Sequence, residues 1–309
     1  MVWDTIYGRG AELEPAEEWG GISYALAALE ATLPDGWCIV PLIKVGYDLA
    51  PRANEFLNSL TRRAGAARFI EVPQPNNRVT LRYEQMIRRT EHLSGGVPPW
   101  TWEELGPMVR DLNALYVNFI SGFEMKLETA QHLRTGFSGP IYADLHSLFL
   151  GVEWDGLRVP EALPGAFSWF ACFDAIQLNE DEMRLVGDDP MEVTARALAA
   201  GVRLLVVTLG PRGTTYFALP SFEFSHGPHK PPAAAGPIRT ARIPAEFTAA
   251  PLDPTGCGDV FGATIVSHLL SGTPLEDAIR HANRLAARNL SFRGATQLHE
   301  FLREGIVLR

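Results

Sequence analysis

The segment Asp253-Pro254-Thr255-Gly256-Cys257-Gly258-Asp259-Val260-Phe261-Gly262 holds the residues best spaced for chemistry. Two glycines flank one small residue, and a carboxylate follows where an apolar helical stretch begins. Glycines let backbone amides approach a ligand with no Cβ in the way. A helix N-terminus adds unpaired N–H groups and partial positive charge, which together suit an anion, most often a phosphate. Asp259 beside such an anion could take a proton from an attacking hydroxyl. Aspartate is also a favoured helix cap, so both roles stand at this point. The loop lacks the Gly-Lys-Ser/Thr ending of a Walker A motif, and its glycines miss the G-x-G-x-x-G spacing by one residue.

The elements that must hold this loop can be read from apolar periodicity. Ile22, Ala25, Leu26, Leu29 and Leu33 recur at helical spacing within Gly21–Leu33, and Ala53–Arg63 reads as a second helix. Trp37–Ile43, Leu112–Ile120, Pro140–Asp144, Ala175–Leu178 and Arg203–Thr208 are short apolar runs of strand type, with a helix near Glu124–Thr135. Beyond Gly258 the chain is mostly helical, over Asp259–Leu270, Leu275–Leu290 and Gln297–Arg303. This alternation predicts an α/β fold with a parallel-rich sheet covered on both faces. Arg68–Val72 and Val79–Tyr83, joined by Pro73-Gln74-Pro75-Asn76-Asn77, break the pattern. They read as a projecting hairpin, suited either to a lid or to an edge ribbon. Ser225–Pro237, rich in Pro, Ala, Gly and His, reads as a surface loop.

Bulk properties narrow the classes. The 309 residues suffice for a large core near the upper limit of one domain, and 46% hydrophobic with 20% charged residues is ordinary for a globular chain. No run approaches eighteen apolar residues, so no membrane span is expected. The formal charge of −9 argues against a broad nucleic-acid surface while leaving room for a local phosphate pocket. Cys38, Cys172 and Cys257 are odd in number and far apart, which argues against a disulfide framework or a cysteine zinc site. With no basic leader after Met1, a reducing cytoplasm is the expected location.

Taken with its surroundings, the glycine loop resembles the D-T-x-G-A-G-D signature of the ribokinase-like (PfkB) family. Val206-Val207-Thr208-Leu209-Gly210-Pro211-Arg212-Gly213 resembles that family's V-T-L-G-x-x-G turn, and Leu178-Asn179-Glu180-Asp181-Glu182 its N-x-x-E element. Ala282-Asn283 sits where the family contacts adenine, Gly20-Gly21 resembles its glycine pair, and Gly46-Tyr47-Asp48 its G-x-D. The order and approximate spacing agree along nearly the whole chain. The resemblance implies one kinase domain over residues 1–309, a three-layer α/β/α sandwich with a small β lid at 68–93. It implies transfer of a phosphoryl group from ATP to a hydroxyl of a sugar, polyol or nucleoside.

On that resemblance Asp259 is the base, and the amides of Gly256, Cys257 and Gly258 form the anion hole. Asn179 and Glu182 organise Mg²⁺, though taken alone they read rather as an N-cap and an exposed helix residue. Thr208, Gly210, Gly213 and Asn283 line the nucleotide pocket, and Asp253 with Thr255 joins a monovalent-cation site for an ion such as K⁺. Asp4, Gly20 and Gly21 belong to the substrate end, and the lid offers a surface for a homodimer.

Four departures qualify the match. The strand that usually precedes Asp4 is almost absent, so either part of it is missing or the start lies upstream; read alone, Asp4 is a frayed-terminus residue. The family's substrate-contacting Asn is replaced by Ala25, with Ser23 and Tyr24 as candidate substitutes, which tilts the expectation toward a polyol such as an inositol. Cys257 stands where the family has Ala, and its thiol is either activated by the helix N-terminus or an inert filler. His146 after Asp144-Leu145 is unusual and reads first as a satisfied buried histidine. A non-catalytic sensor of the same fold and a dinucleotide-dependent oxidoreductase are the competing functions, the latter disfavoured by the glycine spacing and the late position of the loop.

Overall fold

The computed structural model describes residues 1–8, 15–65, 69–83, 89–220, 222–224, 237–246 and 252–307. In chain order the elements are β1 (Val2–Tyr7), β2 (Ala16–Gly20), α1 (Ile22–Thr32), β3 (Lys44–Gly46), α2 (Ala50–Asn58), β4 (Ile70–Val72), β5 (Arg78–Tyr83) and β6 (Arg89–Ser94). Then come α3 (Trp102–Val109), β7 (Leu115–Asn118), α4 (Leu127–Gly136), β8 (Ile141–Asp144), β9 (Leu150–Val152), β10 (Arg158–Pro160) and α5 (Ala166–Phe170). The rest are β11 (Ala175–Asn179), α6 (Glu180–Val186), α7 (Pro190–Ala199), β12 (Leu204–Thr208), β13 (Thr214–Ala218), β14 (Arg239–Ile243), α8 (Cys257–Leu270), α9 (Leu275–Asn289) and α10 (Leu298–Val307).

The main sheet runs β14-β13-β12-β11-β8-β7, with β7, β8, β11 and β12 parallel and β13 and β14 antiparallel. Strand residues alternate between two cores, as a period of two requires. Ile141, Ala143, Ile176, Leu178, Leu205 and Val207 pack with Leu133 of α4, Phe170 of α5 and Ala197 of α7. Tyr142, Ala175, Leu204 and Val206 face the other way, against Phe261 and Ile265 of α8 and Ile279 of α9. The result is a three-layer α/β/α sandwich.

A second sheet, β2-β1-β5-β6, forms the lid. Its make-up corrects the predicted hairpin. β4 pairs in parallel with β3, while β5 pairs with β1 and with β6, so the hairpin is β5–β6 and the lid recruits residues 2–7 and 16–20. The predicted bound Arg68 lies outside the described residues. The turn-rich 73–77 stretch is a tether rather than a hairpin loop. The Asn76 side chain accepts from the Gly46 amide at 2.9 Å and donates to the Met1 carbonyl at 3.2 Å, and Asp48 accepts from the Asn76 amide at 2.7 Å. β1 is therefore anchored on both edges, and Asp4 is no frayed end.

β7 is the outer strand of the main sheet, and a cleft of about 650 Å³ lies between it and residues 36–43. Trp37–Ile43, predicted as a strand, runs along this cleft and forms only the bridge between Ile39 and Arg63. An apolar run with no partner at ladder distance on its other side stays irregular, and the strand forms one step later as β3. The predicted helices are found at α1, α2, α4, α8, α9 and α10 with shifted ends, and the predicted loop Ser225–Pro237 lies, but for Pro237, outside the described residues.

Candidate active site

The carboxyl ends of the parallel strands carry a row of polar side chains, where ligands of open α/β sheets bind. Asn118 ends β7 and registers with Asp144 at the end of β8; Gln177 registers with Asp144 in turn, and Asn179 with Thr208. The lid covers this row and encloses a cavity of about 270 Å³. Of the sequence-selected residues, Asp4, Gly21, Asn179, Glu182, Thr208, Thr255, Gly256, Gly258 and Asp259 all line it.

The glycine loop at residues 256–258 is locked from beneath. Gly256 has φ +77°, and a Cβ there would stand 2.2 Å from the ring of Tyr24, itself only 1% exposed. No L-side chain fits at that position without displacing the ring. From the far side, the Gln177 amide donates to the Gly258 carbonyl at 3.1 Å and to Asp144 Oδ2 at 3.0 Å, and accepts from Tyr142 at 3.0 Å. Asp259 in the first turn of α8 accepts from the Asn118 amide at 2.5 Å. Loss of solvation raises its pKa to about 6, against the lowering pull of that hydrogen bond and of the His146 and Arg89 charges.

Asp4 reaches the same cavity from the lid. It is 6% exposed, and Gly20 makes room for it: a Cβ at position 20 would lie 2.1 Å from its carboxylate. Gly20 thus serves Asp4 rather than lining the cavity. Burial raises the Asp4 pKa to about 7, with Arg89 lowering it and Glu91 and Asp259 adding to the rise. Burial and the neighbouring Asp259 and Glu182 charges lift Asp144 to about 8.

Asn179 is the N-cap of α6, as the local reading expects, but Glu182, expected to be an exposed helix residue, is buried and closes a capping box with it, and both line the cavity. Glu182 Oε2 accepts from the Asn179 amide at 2.7 Å, and Oε1 meets the Asn179 side chain and His146 Nδ1. His146 is far from a sealed core residue, since its side chain is 43% exposed into the cavity. Burial of the ring works against its charge, but Glu182 beside it prevails and holds the imidazolium up to a pKa of about 9.

Other selected residues face elsewhere. Asn283 accepts from Thr214 at 2.8 Å and donates to the Ile243 and Pro244 carbonyls, so it clamps α9 to β14 and does not line the cavity. Gly213, at φ +92°, packs on the same Ile243 carbonyl, and Gly210 opens a turn beside it. The Cys257 thiol turns to the Ala286 carbonyl and Asn289 instead of the cavity, as the filler reading expects. Ser23 is fully buried and Tyr24 lies under Gly256, so neither brings to the cavity the polar group that Ala25 lacks.

Among the cavity residues that carry no role in the sequence reading are Asn118, Arg89, Glu91 and Arg158. Arg89 and Glu91 pair on β6; Arg89 also donates to Tyr83 at 2.7 Å, and Tyr83 meets the Thr255 hydroxyl at 3.2 Å. This chain of contacts ties the lid to the glycine loop. Arg158 sits in the β9–β10 hairpin and donates to the Ile120, Ser121 and Ser147 carbonyls. A polar residue closing an apolar strand was the available signal for Asn118; the lid residues gave none.

Residues 157–300 match the family model described as pfkB family carbohydrate kinase. No curated protein matches the chain. Solved structures do. A Burkholderia thailandensis nucleoside kinase in complex with inosine is 18% identical, with a TM-score of 0.71 over 96% of this chain and 91% of that one. A pyrophosphate-dependent kinase in the ribokinase family, complexed with a pyrophosphate analog and myo-inositol, is 16% identical, with a TM-score of 0.71 over 97% and 96%. Arabidopsis thaliana ribokinase complexed with ribose and ATP is 14% identical, with a TM-score of 0.70 over 100% and 96%. These likenesses establish the ribokinase fold across the full chain.

Proposed function

We propose, from the premise that residues 157–300 belong to the PfkB carbohydrate-kinase family and that the whole chain is a small-molecule kinase of the ribokinase fold, that it phosphorylates a hydroxyl of a polyol or sugar from ATP. The observation that carries this reading is the placing of Asp4 and Asp259 on one lid-covered cavity, beside the N-terminal amides of α8.

Asp4 accepts hydrogen bonds from acceptor hydroxyls. The reacting hydroxyl oxygen attacks the terminal phosphorus as its proton passes to Asp259, and the bond to the ADP oxygen breaks. The amides of Gly256, Cys257 and Gly258 receive the charge on the migrating group, and positioning with charge stabilisation supplies most of the catalysis. With a pKa of about 6, Asp259 is largely ionised at pH 7 and competent as a base. Lid closure excludes water and limits ATP hydrolysis.

The donor set fits Mg²⁺ held through its waters, because Glu182 and Asn179 are oxygen ligands whose nearer lone pairs are already committed to hydrogen bonds. Mg²⁺ neutralises phosphate charge when bound. Asp253 and Thr255 suit a monovalent cation; Asn289 in the same neighbourhood donates to the Thr255 carbonyl at 2.9 Å, and its buried Oδ1 has no hydrogen-bond partner among the described residues. A polyol is favoured over a nucleoside because Phe119, the one Phe, Tyr or Trp among the described lining residues, is fully buried and offers no face to a base.

The test is phosphorylated-product formation with inositols, sugars and nucleosides, using ATP and pyrophosphate as donors, beside Asp259→Asn. Acceptor-dependent turnover is expected, falling by about 10²–10⁴-fold in the variant. ATP binding without turnover on any acceptor overturns the reading in favour of a non-catalytic ligand-binding protein, and turnover indifferent to Asp259→Asn overturns Asp259 as the base.

A further inference from the structure

Asp259 has two carboxylate oxygens, and they are unequal. Oδ1 accepts the Asn118 amide at 2.5 Å, whereas Oδ2 has no side-chain partner among the described residues. Asn118 is 8% exposed and sits at the last position of β7, where parallel pairing with β8 fixes its backbone. The same amide nitrogen lies 3.4 Å from the Tyr116 hydroxyl, which limits its rotation. Gly262, one turn after Asp259, lets α8 approach this group closely: a Cβ there would stand 2.6 Å from the Tyr116 oxygen.

We propose that Asn118 is a positioning residue for phosphoryl transfer, holding Asp259 by one oxygen so that the other is presented to the acceptor hydroxyl. This rests on the kinase reading, with Asp259 as base. An unrestrained aspartate rotates about χ1 and χ2, and its syn lone pair meets the hydroxyl only part of the time. A donor on Oδ1 removes that freedom and also stabilises the ionised form. An amide suits the position because it donates without bringing charge; an acid there would share a proton with Asp259, and a lysine would suppress its basicity.

The charged and titratable groups facing Asp259 come from several elements. They are Asp4 of β1, Tyr24 of α1, Arg89 of β6, Tyr116 of β7, Asp144 of β8 and His146 after it. Asn118 is the neutral donor that bonds the base directly, so its removal predicts a specific signature. Desolvation then acts with less opposition and Asp259 becomes harder to ionise.

The experiment compares wild type, Asn118→Leu and Asn118→Asp by the pH dependence of kcat, and by ¹³C-carboxyl NMR titration of Asp259 assigned with Asp259→Asn. In Asn118→Leu the acid limb and the NMR titration should move together, upward from about 6 by about one unit. At pH 8, where the base is ionised in both proteins, kcat should still fall about tenfold or more with acceptor KM little changed. In Asn118→Asp the single titration should split into two coupled steps. An Asp259 titration and an acid limb that stay in place while only thermal stability drops would assign Asn118 a purely structural role and overturn the proposal. Failure of the kinase reading is distinguishable, because it abolishes acceptor-dependent turnover in the wild type. The NMR titration still decides whether Asn118 holds the carboxylate.

Discussion

Replacing Gly256 by alanine tests the locking of the anion loop most directly. The residue sits at φ +77°, where an L-residue loses about 1–2 kcal/mol. The added methyl would also overlap Cγ and Cδ1 of Tyr24 at 2.2 Å, near the root of a ring that is 1% exposed and cannot swing away. Overpacking of that kind costs about 1–3 kcal/mol. The sum, about 2–5 kcal/mol, is a large share of a typical folding free energy, and at about 2–4 °C per kcal/mol it lowers Tm by about 4–20 °C. Differential scanning fluorimetry and urea titration read this loss. Tyr24→Leu in the same chain should relieve the clash but not the backbone strain, giving a coupling of about 1–3 kcal/mol in a double-mutant cycle. Because the strain is absorbed at the amides of residues 256–258, kcat should fall by about 10²-fold even where the protein remains folded. A Tm within about 2 °C of wild type together with undiminished kcat would refute the argument that the loop is held by this contact.

The lid and its carboxylate yield further expectations. Asp4→Asn should stabilise the unliganded protein at pH 8 and leave it nearly unchanged at pH 4. The folded-state pKa of Asp4 is raised to about 7, so the wild type loses stability as pH rises toward that value and the amide does not; thermal melts at the two pH values measure the difference, on the order of 4 kcal/mol. The same substitution should raise acceptor KM. Tyr83→Phe removes the hydroxyl shared by Arg89 and Thr255, and should weaken lid closure by about 1 kcal/mol. The readout is an increase of about fivefold in acceptor-independent ATP hydrolysis relative to acceptor phosphorylation; an unchanged ratio would remove Tyr83 from the closure.

Much of the central layer was legible because local pattern and burial agree there. Ala175–Leu178 and Arg203–Thr208 are short apolar runs that could be satisfied only inside a sheet, and they became β11 and β12. The N-cap at Asn179 was equally readable, since it is local, whereas Glu182 read as an exposed helix residue and is buried against His146. What escaped was set by non-local pairing. Ile70–Val72 looks like half of a hairpin, but its partner is β3, some 26 residues upstream and parallel to it. Asp4 looked loose because the tie at Asn76 and the strand at β5 lie more than 70 residues away. The bonds of the Asn283 amide to Thr214 and two backbone carbonyls are likewise a proximity no linear pattern encodes. Arg89 and Glu91 belong to a polar strand that becomes a cavity wall only when the lid folds over the sheet.

The contact between Gly20 and Asp4 bears on how this sequence can drift. A side chain at position 20 and a carboxylate at position 4 cannot share the same space, so a mutation at either site changes the selective value of the other. Loss of the carboxylate would open position 20 to alanine or serine at once, whereas gain of a Cβ first would expel Asp4 from the cavity. The order of substitutions is therefore constrained: bulk at position 20 is accommodated only after the carboxylate at position 4 has gone.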